Sequence, residues 1–129
     1  MKNIHDDNGV INLAEGILRQ AKEDYINAIL LKDYRDDGKP RRIGNRTLWD
    51  TRDELERFFR SDWFASLTLD ACDGDAAARS VRQEALNRYY EIKDLADGTD
   101  RGSAKAKAKA KRIMAKMKSL DEIKEYCNP

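Results

Sequence analysis

The fold of this chain is decided by the stretch Arg57-Phe58-Phe59-Arg60-Ser61-Asp62-Trp63-Phe64. It holds all three phenylalanines of the 129 residues and one of the two tryptophans. On a helix, its two adjacent phenylalanines lie on the same side as Leu55. Ser61 then ends that helix, so that the last two rings can fold back against the same side. Burying each ring contributes roughly 1.5–3 kcal/mol, so we expect these rings in the core of a small domain.

A second interpretation keeps part of this stretch at the surface as a docking site. Trp and Arg are enriched among the few residues that carry most of the energy of protein interfaces. The candidate partner-binding residues are therefore Arg57, Arg60 and Trp63.

Apolar residues recur at three- and four-residue spacing through most of the chain, which is typical of amphipathic helices. Only two prolines occur, and there is no sustained alternation of β-branched residues, so strands have little support. We expect an all-α protein, a compact bundle of four to five helices whose C-terminal helix is basic and rich in Lys and Ala. The predicted helices cover residues 13–34, 48 to 59 or 60, 62–67, 76–96 and 104 onward, with a polar loop at residues 36–46.

Polar residues at the helix starts support these boundaries. Asn12, Thr47, Ser61 and Ser103 are candidate N-caps, because their side chains can accept a bond from an unpaired amide of the first turn. The pattern Ser119-Leu120-Asp121-Glu122 is a capping box, which leaves open whether the last helix is one or two. The expected organisation is a flexible N-terminus, a helical core domain, a joint and a basic C-terminal helix, at residues 1–11, 12–97, 98–102 and 103–129.

The composition indicates a cytoplasmic protein without membrane contact. Charged residues make up 38% and hydrophobic residues 40% of the chain. No apolar run approaches the length of a membrane span, and the first residues lack the apolar stretch of a signal peptide. In that compartment, Cys72 and Cys127 are expected to be free thiols.

The net charge of +1 conceals one strongly basic segment. Residues 103–118 carry seven Lys or Arg and no Asp or Glu. Lysines neutralise phosphates and release counterions, so this segment could bind DNA or RNA without sequence preference. The alternative is an ordinary solvated helix end, because alternate positions advance about 200° and spread the lysines around the axis. The candidate nucleic-acid-binding residues are Lys105, Lys107, Lys109, Lys111, Arg112 and Lys116.

Common catalytic and metal-binding patterns are missing. His5 is the only histidine, so neither a Ser-His-Asp triad nor a histidine-based zinc site can form. Asp70, Asp73 and Asp75 lie close in sequence without the spacing of a calcium loop, and turns and caps explain them better. There is no P-loop or dinucleotide fingerprint. We therefore expect no catalytic residues, no metal, no cofactor and no enzymatic activity.

The aromatic stretch resembles a motif of small uncharacterised proteins carried by phages and integrative elements of Gram-positive bacteria. The similarity lies in residues 58–64, followed by Leu67-Thr68 and Asp73-Gly74, and in an upstream Asp24-Tyr25 pair. The chain departs from the pattern after Gly74, where small residues replace bulky ones, and the Lys-Ala tail is outside it. The resemblance implies a mobile-element protein in a bacterial host cell and carries no activity with it.

Three functional hypotheses follow from these features. The first is a non-enzymatic interaction protein of a phage or mobile element that binds a host protein or nucleoprotein complex, in its most concrete form an inhibitor of a nucleic-acid-targeting defence complex of the anti-CRISPR type. The second is an accessory protein that binds DNA or RNA directly through the basic helix. The third is a structural helical oligomer joined through an apolar stripe at Ile113, Met117, Leu120 and Ile123.

Overall fold

The computed structural model describes residues 4–98 and 104–128. It is compact and 72% helical, with a single two-stranded sheet in the described residues, which confirms the predicted all-α class. A sixth helix is present because the last predicted helix is divided in two. The elements are α1 (Ile4–Leu30), β1 (Arg42–Ile43), β2 (Arg46–Thr47), α2 (Leu48–Phe59), α3 (Asp62–Leu67), α4 (Gly74–Ala96), α5 (Ala104–Lys116) and α6 (Leu120–Cys127).

The first helix begins earlier than predicted. It starts at Ile4 instead of Leu13, so Asn12 lies inside the helix and does not cap it. No proline interrupts this part of the sequence, and a potential cap ends a helix only where the backbone departs from helical geometry. Residues 4–11, predicted as part of a flexible N-terminus, therefore belong to α1.

The first helix also ends earlier, at Leu30 instead of Tyr34. Beyond it, the amide of Lys32 donates to the carbonyl of Lys116 over 2.9 Å, and the amide of Lys118 donates to the carbonyl of Leu30 over 2.8 Å. These bonds form an antiparallel bridge between the end of α1 and the link from α5 to α6. The amide of Lys32 and the carbonyl of Leu30 thus find hydrogen-bond partners in this bridge and not in a further turn of helix.

The predicted loop at residues 36–46 contains a small β-hairpin that the sequence pattern did not indicate. Strands β1 and β2 pair antiparallel across a two-residue connection in which Gly44 has φ +61°. A positive φ at the first connecting residue is typical of tight hairpin turns, and glycine adopts it without steric cost. The hairpin leads into α2, where the Thr47 hydroxyl accepts a hydrogen bond from the amide of Asp50 over 3.2 Å, as a cap.

The aromatic stretch supplies the centre of the core through Phe59 and Phe64, as predicted, but the expectation that all of its rings are buried is wrong for Trp63, which is 58% exposed. Phe59 and Phe64 are each only 4% exposed, and their ring centroids lie 5.4 Å apart. Tyr25 of α1 packs against the Phe59 ring at 5.6 Å. Ser61 caps α3, because its hydroxyl accepts a bond from the Phe64 amide over 3.1 Å. The bounds of α2 and α3 agree with the prediction.

The fourth helix begins two positions before the predicted start, at Gly74, because the side chain of Asp73 caps it. Gly74 lies so close to the end of α2 that a Cβ atom there would collide with the carbonyl oxygen of Phe59. The predicted apolar stripe of α4 faces the core, with buried side chains at Val81, Ala85, Tyr89 and Ala96.

The last part of the chain is two helices that pack into the same core as residues 13–98. The hydroxyl of Ser119 accepts a bond from the amide of Glu122 over 3.3 Å, so the capping box begins α6. The buried Met117, Ile123 and Cys127 belong to the main hydrophobic cluster. The C-terminal segment is therefore integrated with the core domain. Residues 99–102 of the predicted joint, and the predicted cap Ser103, lie outside the described ranges.

The apolar stripe assigned to an oligomer interface is used within this chain. Met117 is 4% exposed and Ile123 is fully buried, while Ile113 and Leu120 pack against the same cluster. A period of three and four residues identifies a buried helix face without specifying what covers it. The prediction that this stripe is free to join subunits is wrong, because helices of the same chain cover it.

Candidate interaction surfaces

Trp63 is the most exposed aromatic side chain that the structure describes, at 58%. It is the second residue of α3, and its ring stands edge-on to Phe58, with centroids 5.7 Å apart. The Ser61 hydroxyl fixes the turn before Trp63 to both neighbouring helices. It donates to the carbonyl of Phe58 in α2 over 2.6 Å and accepts from the amide of Phe64 in α3. The indole is thus fixed at its base and open to solvent on its outer side.

One pocket, with a volume of about 440 Å³, lies between Trp63 and the middle of α1. Its apolar walls are Leu13 and Leu18 from α1, with Leu67 and Leu69 from the end of α3. Leu13 is 66% exposed and Leu69 is 82% exposed. Large apolar side chains therefore surround an open depression.

A second pocket, of about 350 Å³, is also lined by Trp63. Ile17 and Ala21 of α1 face Leu55 and Phe58 of α2 across it. The indole therefore lines two apolar depressions, both of which are also lined by residues of α1. We call Trp63 and the apolar residues lining these two pockets the Trp63 surface.

Leu69 adopts a backbone conformation that leucine rarely takes, with φ +53°. It follows the last turn of α3: the amide of Leu69 donates to the carbonyl of Ser66 over 3.1 Å, and the amide of Asp70 donates to the carbonyl of Ala65 over 2.8 Å. This pair of bonds is the Schellman motif, in which glycine normally occupies the left-handed position. A non-glycine residue there costs roughly 1–2 kcal/mol. Burial does not compensate for this strain, because the side chain lies almost wholly in solvent.

The two arginines predicted to accompany Trp63 lie apart from both pockets. The Arg60 guanidinium contacts the carboxylate of Asp75 at 3.0 Å, and this hydrogen bond raises the pKa of Arg60. Arg57 is exposed and lines neither pocket. Of the three candidate partner-binding residues, only Trp63 belongs to the surface. Leu13 and Leu69 were missed because tertiary packing, and no local motif, brings them next to the indole.

The basic helix α5 packs firmly against the rest of the protein along one face. Ala110 is 3% exposed, and Ile113 and Met114 pack against the core cluster. The Lys-Ala segment is therefore not solvated on all sides, because small alanines let α5 approach α4 closely. Five of the six candidate nucleic-acid-binding residues are nevertheless exposed, and Lys107 is partly so.

A buried polar cluster joins α1, α4 and α6. The hydroxyl oxygens of Tyr25 and Tyr126 lie 3.0 Å apart, and the Arg82 guanidinium donates to the Tyr25 hydroxyl over 3.2 Å. Burial raises the pKa of both tyrosines, so both hydroxyls stay protonated near neutral pH. The cluster specifies how the three helices pack, because each buried polar group needs its partner.

Two further observations concern possible binding chemistry. Cys72 is exposed and Cys127 is buried, and both are free thiols, as predicted. Within residues 4–98 and 104–128, no three His, Cys, Asp or Glu side chains are grouped so that they could hold a metal ion. No helix in the same ranges combines the length and apolar character needed to cross a membrane.

Comparison with known proteins gives no relative of this chain. No family model, no curated protein and no solved structure matches it. The resemblance of the aromatic stretch to proteins of phages and integrative elements stays a prediction.

Proposed function

We propose that this protein is a non-enzymatic interaction protein that binds a partner protein through the Trp63 surface. The observation that carries the proposal is a half-exposed indole that lines two apolar pockets. Interface hot spots are enriched in Trp and are surrounded by contacts that exclude water. The pockets offer a partner two places to bury apolar side chains beside the ring, and exposed apolar patches of this kind mark interaction sites.

The occupant that fits this surface is an amphipathic helix with basic flanks. The charged residues lining the pockets are the carboxylates of Glu15, Asp24 and Glu54 and one guanidinium, that of Arg46. Arg46 is already engaged by Glu54 at 2.7 Å, so the rim is negative. A helix presents apolar side chains at i, i+3, i+4 and i+7, which can reach both pockets while flanking Lys or Arg meet the carboxylates.

Leu69 supports the same proposal independently. Neither its left-handed backbone nor its exposure favours leucine over glycine in the free protein. A bound helix would cover the side chain and recover roughly the 1.5–3 kcal/mol that burying leucine provides. Binding of a partner would therefore favour leucine over glycine at position 69, whereas folding of the free protein does not.

The finer form of the proposal is inhibition of a host nucleic-acid-targeting defence complex, of the anti-CRISPR type, in the cytoplasm of a bacterium. Its support is the resemblance of the aromatic stretch to proteins of mobile elements. A small body with an apolar docking surface and a separate basic helix also suits a partner that contains both protein and nucleic acid. The experiment is size-exclusion chromatography with a purified RNA-guided nuclease, alone and loaded with guide and target, followed by a cleavage assay. A stoichiometric complex that loses cleavage supports inhibition, and its absence with every loaded nuclease tested rejects this finer form.

The surface itself is tested with a peptide, independently of the host complex. The probe is an amphipathic helix with a leucine face and lysine flanks, and its matched control carries glutamate in place of each lysine. The lysine peptide should bind and shift the tryptophan fluorescence to the blue, whereas the glutamate peptide should bind far more weakly because it meets a negative rim.

Variants then assign the binding to named residues. Trp63→Ala should weaken peptide binding by roughly 30-fold or more, the effect of losing a 2 kcal/mol hot spot. Leu69→Gly should also weaken binding while it stabilises the free protein by about 1 kcal/mol. Tyr90→Ala is the control, since this exposed ring of α4 lines neither pocket. Equal binding by the wild type and Trp63→Ala would remove the Trp63 surface from consideration.

A further inference from the structure

Four basic residues form a straight row on the solvent side of α5. They follow one another at intervals of four, three and four positions, so they lie within roughly 60° of the helix circumference and extend over about 16 Å. All four side chains are exposed. We call this set the basic row: Lys105, Lys109, Arg112 and Lys116.

The remaining two lysines of the run lie on the opposite flank of the same helix. Lys107 and Lys111 are one turn apart, and the docked face separates them from the basic row on one side. Lys107 is only partly exposed, because the end of its side chain lies against Gly98 after α4. The helix therefore carries basic side chains on two different sides. Substitutions of Lys107 and Lys111 can serve as a control for substitutions in the basic row.

Among the described residues, no ion pair neutralises the charges of the basic row. None of its members takes part in an ion pair among the residues for which the structure gives side chains. Other basic residues do pair: Arg88 holds Glu23 at 2.8 Å, and Lys93 holds Asp97 at 2.8 Å. An uncompensated row of like charges raises the electrostatic potential along one side of the molecule, which attracts a polyanion.

Two basic residues from outside α5 extend the row at its C-terminal end. The Nζ of Lys32 donates to the carbonyl of Ala115 over 3.3 Å, while its backbone amide bonds to Lys116. The Nε of Arg41 in turn donates to the carbonyl of Lys32 over 3.0 Å. Both cations are held in place by backbone carbonyl groups, which orient them without cancelling their charge.

The carboxylate at this junction is already shared between two other cations. Asp33 accepts from Arg52 over 2.8 Å and lies 3.4 Å from the Nζ of Lys118. Burial alone would raise the pKa of Asp33, but the hydrogen bonds from Arg52 and the charge of Lys118 outweigh it and lower the pKa. The single negative charge of Asp33 is therefore opposed by these two positive charges, and the junction stays positive.

We infer that the basic row, extended by Lys32 and Arg41, binds the phosphate backbone of double-stranded nucleic acid. A straight row on a docked helix suits a stiff, regular array of phosphates, and a duplex carries one charge per roughly 1.7 Å of its axis. The lysines of the row are compact point charges on flexible side chains, which suit phosphate groups. Proteins that hold single strands add aromatic rings for stacking, and α5 has none. The site is separate from the Trp63 surface, since no residue of α5 lines either pocket.

The test is fluorescence anisotropy of the whole protein with a labelled DNA duplex of mixed sequence, titrated at several salt concentrations. Each phosphate contact contributes about 0.9 to the slope of log K against log salt, so six contacts predict a slope near −5. Lys105→Gln, Lys109→Gln, Arg112→Gln and Lys116→Gln combined should reduce this slope by 3 to 4, since four contacts are lost. Lys32→Gln with Arg41→Gln should reduce it by about 2.

The control is Lys107→Gln combined with Lys111→Gln, which removes charge from the opposite flank and should change the slope by less than about 1. A single strand of the same length and a polyglutamate chain serve as competitors, and circular dichroism verifies that each variant keeps its helix content. Three results would overturn the inference: no binding at low salt, equal losses in the two sets of variants, or preferential binding of the single strand or the polyglutamate. The last would assign the row to single-stranded nucleic acid or to an acidic protein. None of these results affects the Trp63 surface, which is tested with the peptide.

Discussion

Replacing Gly74 by alanine should destabilise the protein by roughly 3 kcal/mol, the upper end of the usual range for overpacking. Gly74 is the first residue of α4, and an added Cβ would collide with the carbonyl oxygen of Phe59 and lie 2.8 Å from the carbonyl carbon. The obstacle is the backbone at the end of α2, so no change of rotamer can relieve it. Either α4 or α2 must move, and the rings packed beneath their junction lose contacts when it does.

Gly16 provides the matched control, because the same substitution there meets no obstacle. It lies inside α1, and apart from its chain neighbours and the backbone of its own helix turn, no heavy atom lies within 4 Å of an added Cβ. Alanine loses less conformational entropy than glycine when a helix forms, so Gly16→Ala should stabilise the protein by roughly 0.5–1 kcal/mol. Urea denaturation followed by circular dichroism measures both free energies of unfolding, and thermal midpoints should differ by 10 °C or more, at about 3–4 °C per kcal/mol for a chain of this size. If both substitutions changed stability in the same direction, the close contact between α2 and α4 could not be present in solution.

Three further predictions test other parts of the structure. Ser119→Ala should reduce the free energy of unfolding by about 1 kcal/mol through loss of the cap of α6, and an unchanged urea midpoint would contradict that cap. Asp33→Asn should destabilise the protein near neutral pH, because the bonds to Arg52 are charge-assisted. The pKa of Asp33 is lowered in the folded state, so the wild type should lose this advantage as pH falls below roughly 4, and a difference independent of pH would contradict the sign. A thiol reagent should modify the exposed Cys72 at once and the buried Cys127 only on unfolding, because burial shields that thiol and raises its pKa. Equal rates of modification at the two cysteines would contradict the burial of Cys127.

Helix starts could be predicted from sequence where the capping side chain was recognised, at Thr47, Ser61 and Ser119, but not at Asp73, whose cap places the start of α4 two residues before the predicted one. The hydroxyls of Thr47, Ser61 and Ser119 each accept a hydrogen bond from the amide three residues further on, and such bonds depend on local sequence alone. The end of α1 could not be predicted in this way. It depends on backbone pairing between Leu31 and Met117, which are far apart in the chain, and no local pattern carries that contact.

The residues of the candidate surfaces also differ in whether local sequence or distant contacts determine their role. Trp63 could be proposed from composition, because a large ring beside a helix break is either buried or a docking site. The sequence around Leu69 did not indicate a binding residue. Leu69 occupies the left-handed position of a Schellman motif, and that motif is recognised in a sequence by the glycine that normally stands there. The periodicity of the Lys-Ala run did predict lysines on several sides of the helix. It failed to indicate that Ala110 would be buried, because alanine suits both a solvated helix and a close helix contact.

The two surfaces should contribute differently to binding of a partner that contains both protein and nucleic acid. Burial of the indole and of Leu69 does not depend on ionic strength, so Trp63→Ala should act mainly by raising the dissociation rate. The basic row acts over a longer range through its charge, so its removal should mainly lower the association rate and abolish the salt dependence of that rate. Because α5 lines neither pocket, the two effects should be additive in free energy when the variants are combined. A single continuous interface would instead give coupled losses, and stopped-flow measurements on the combined variant distinguish the two arrangements.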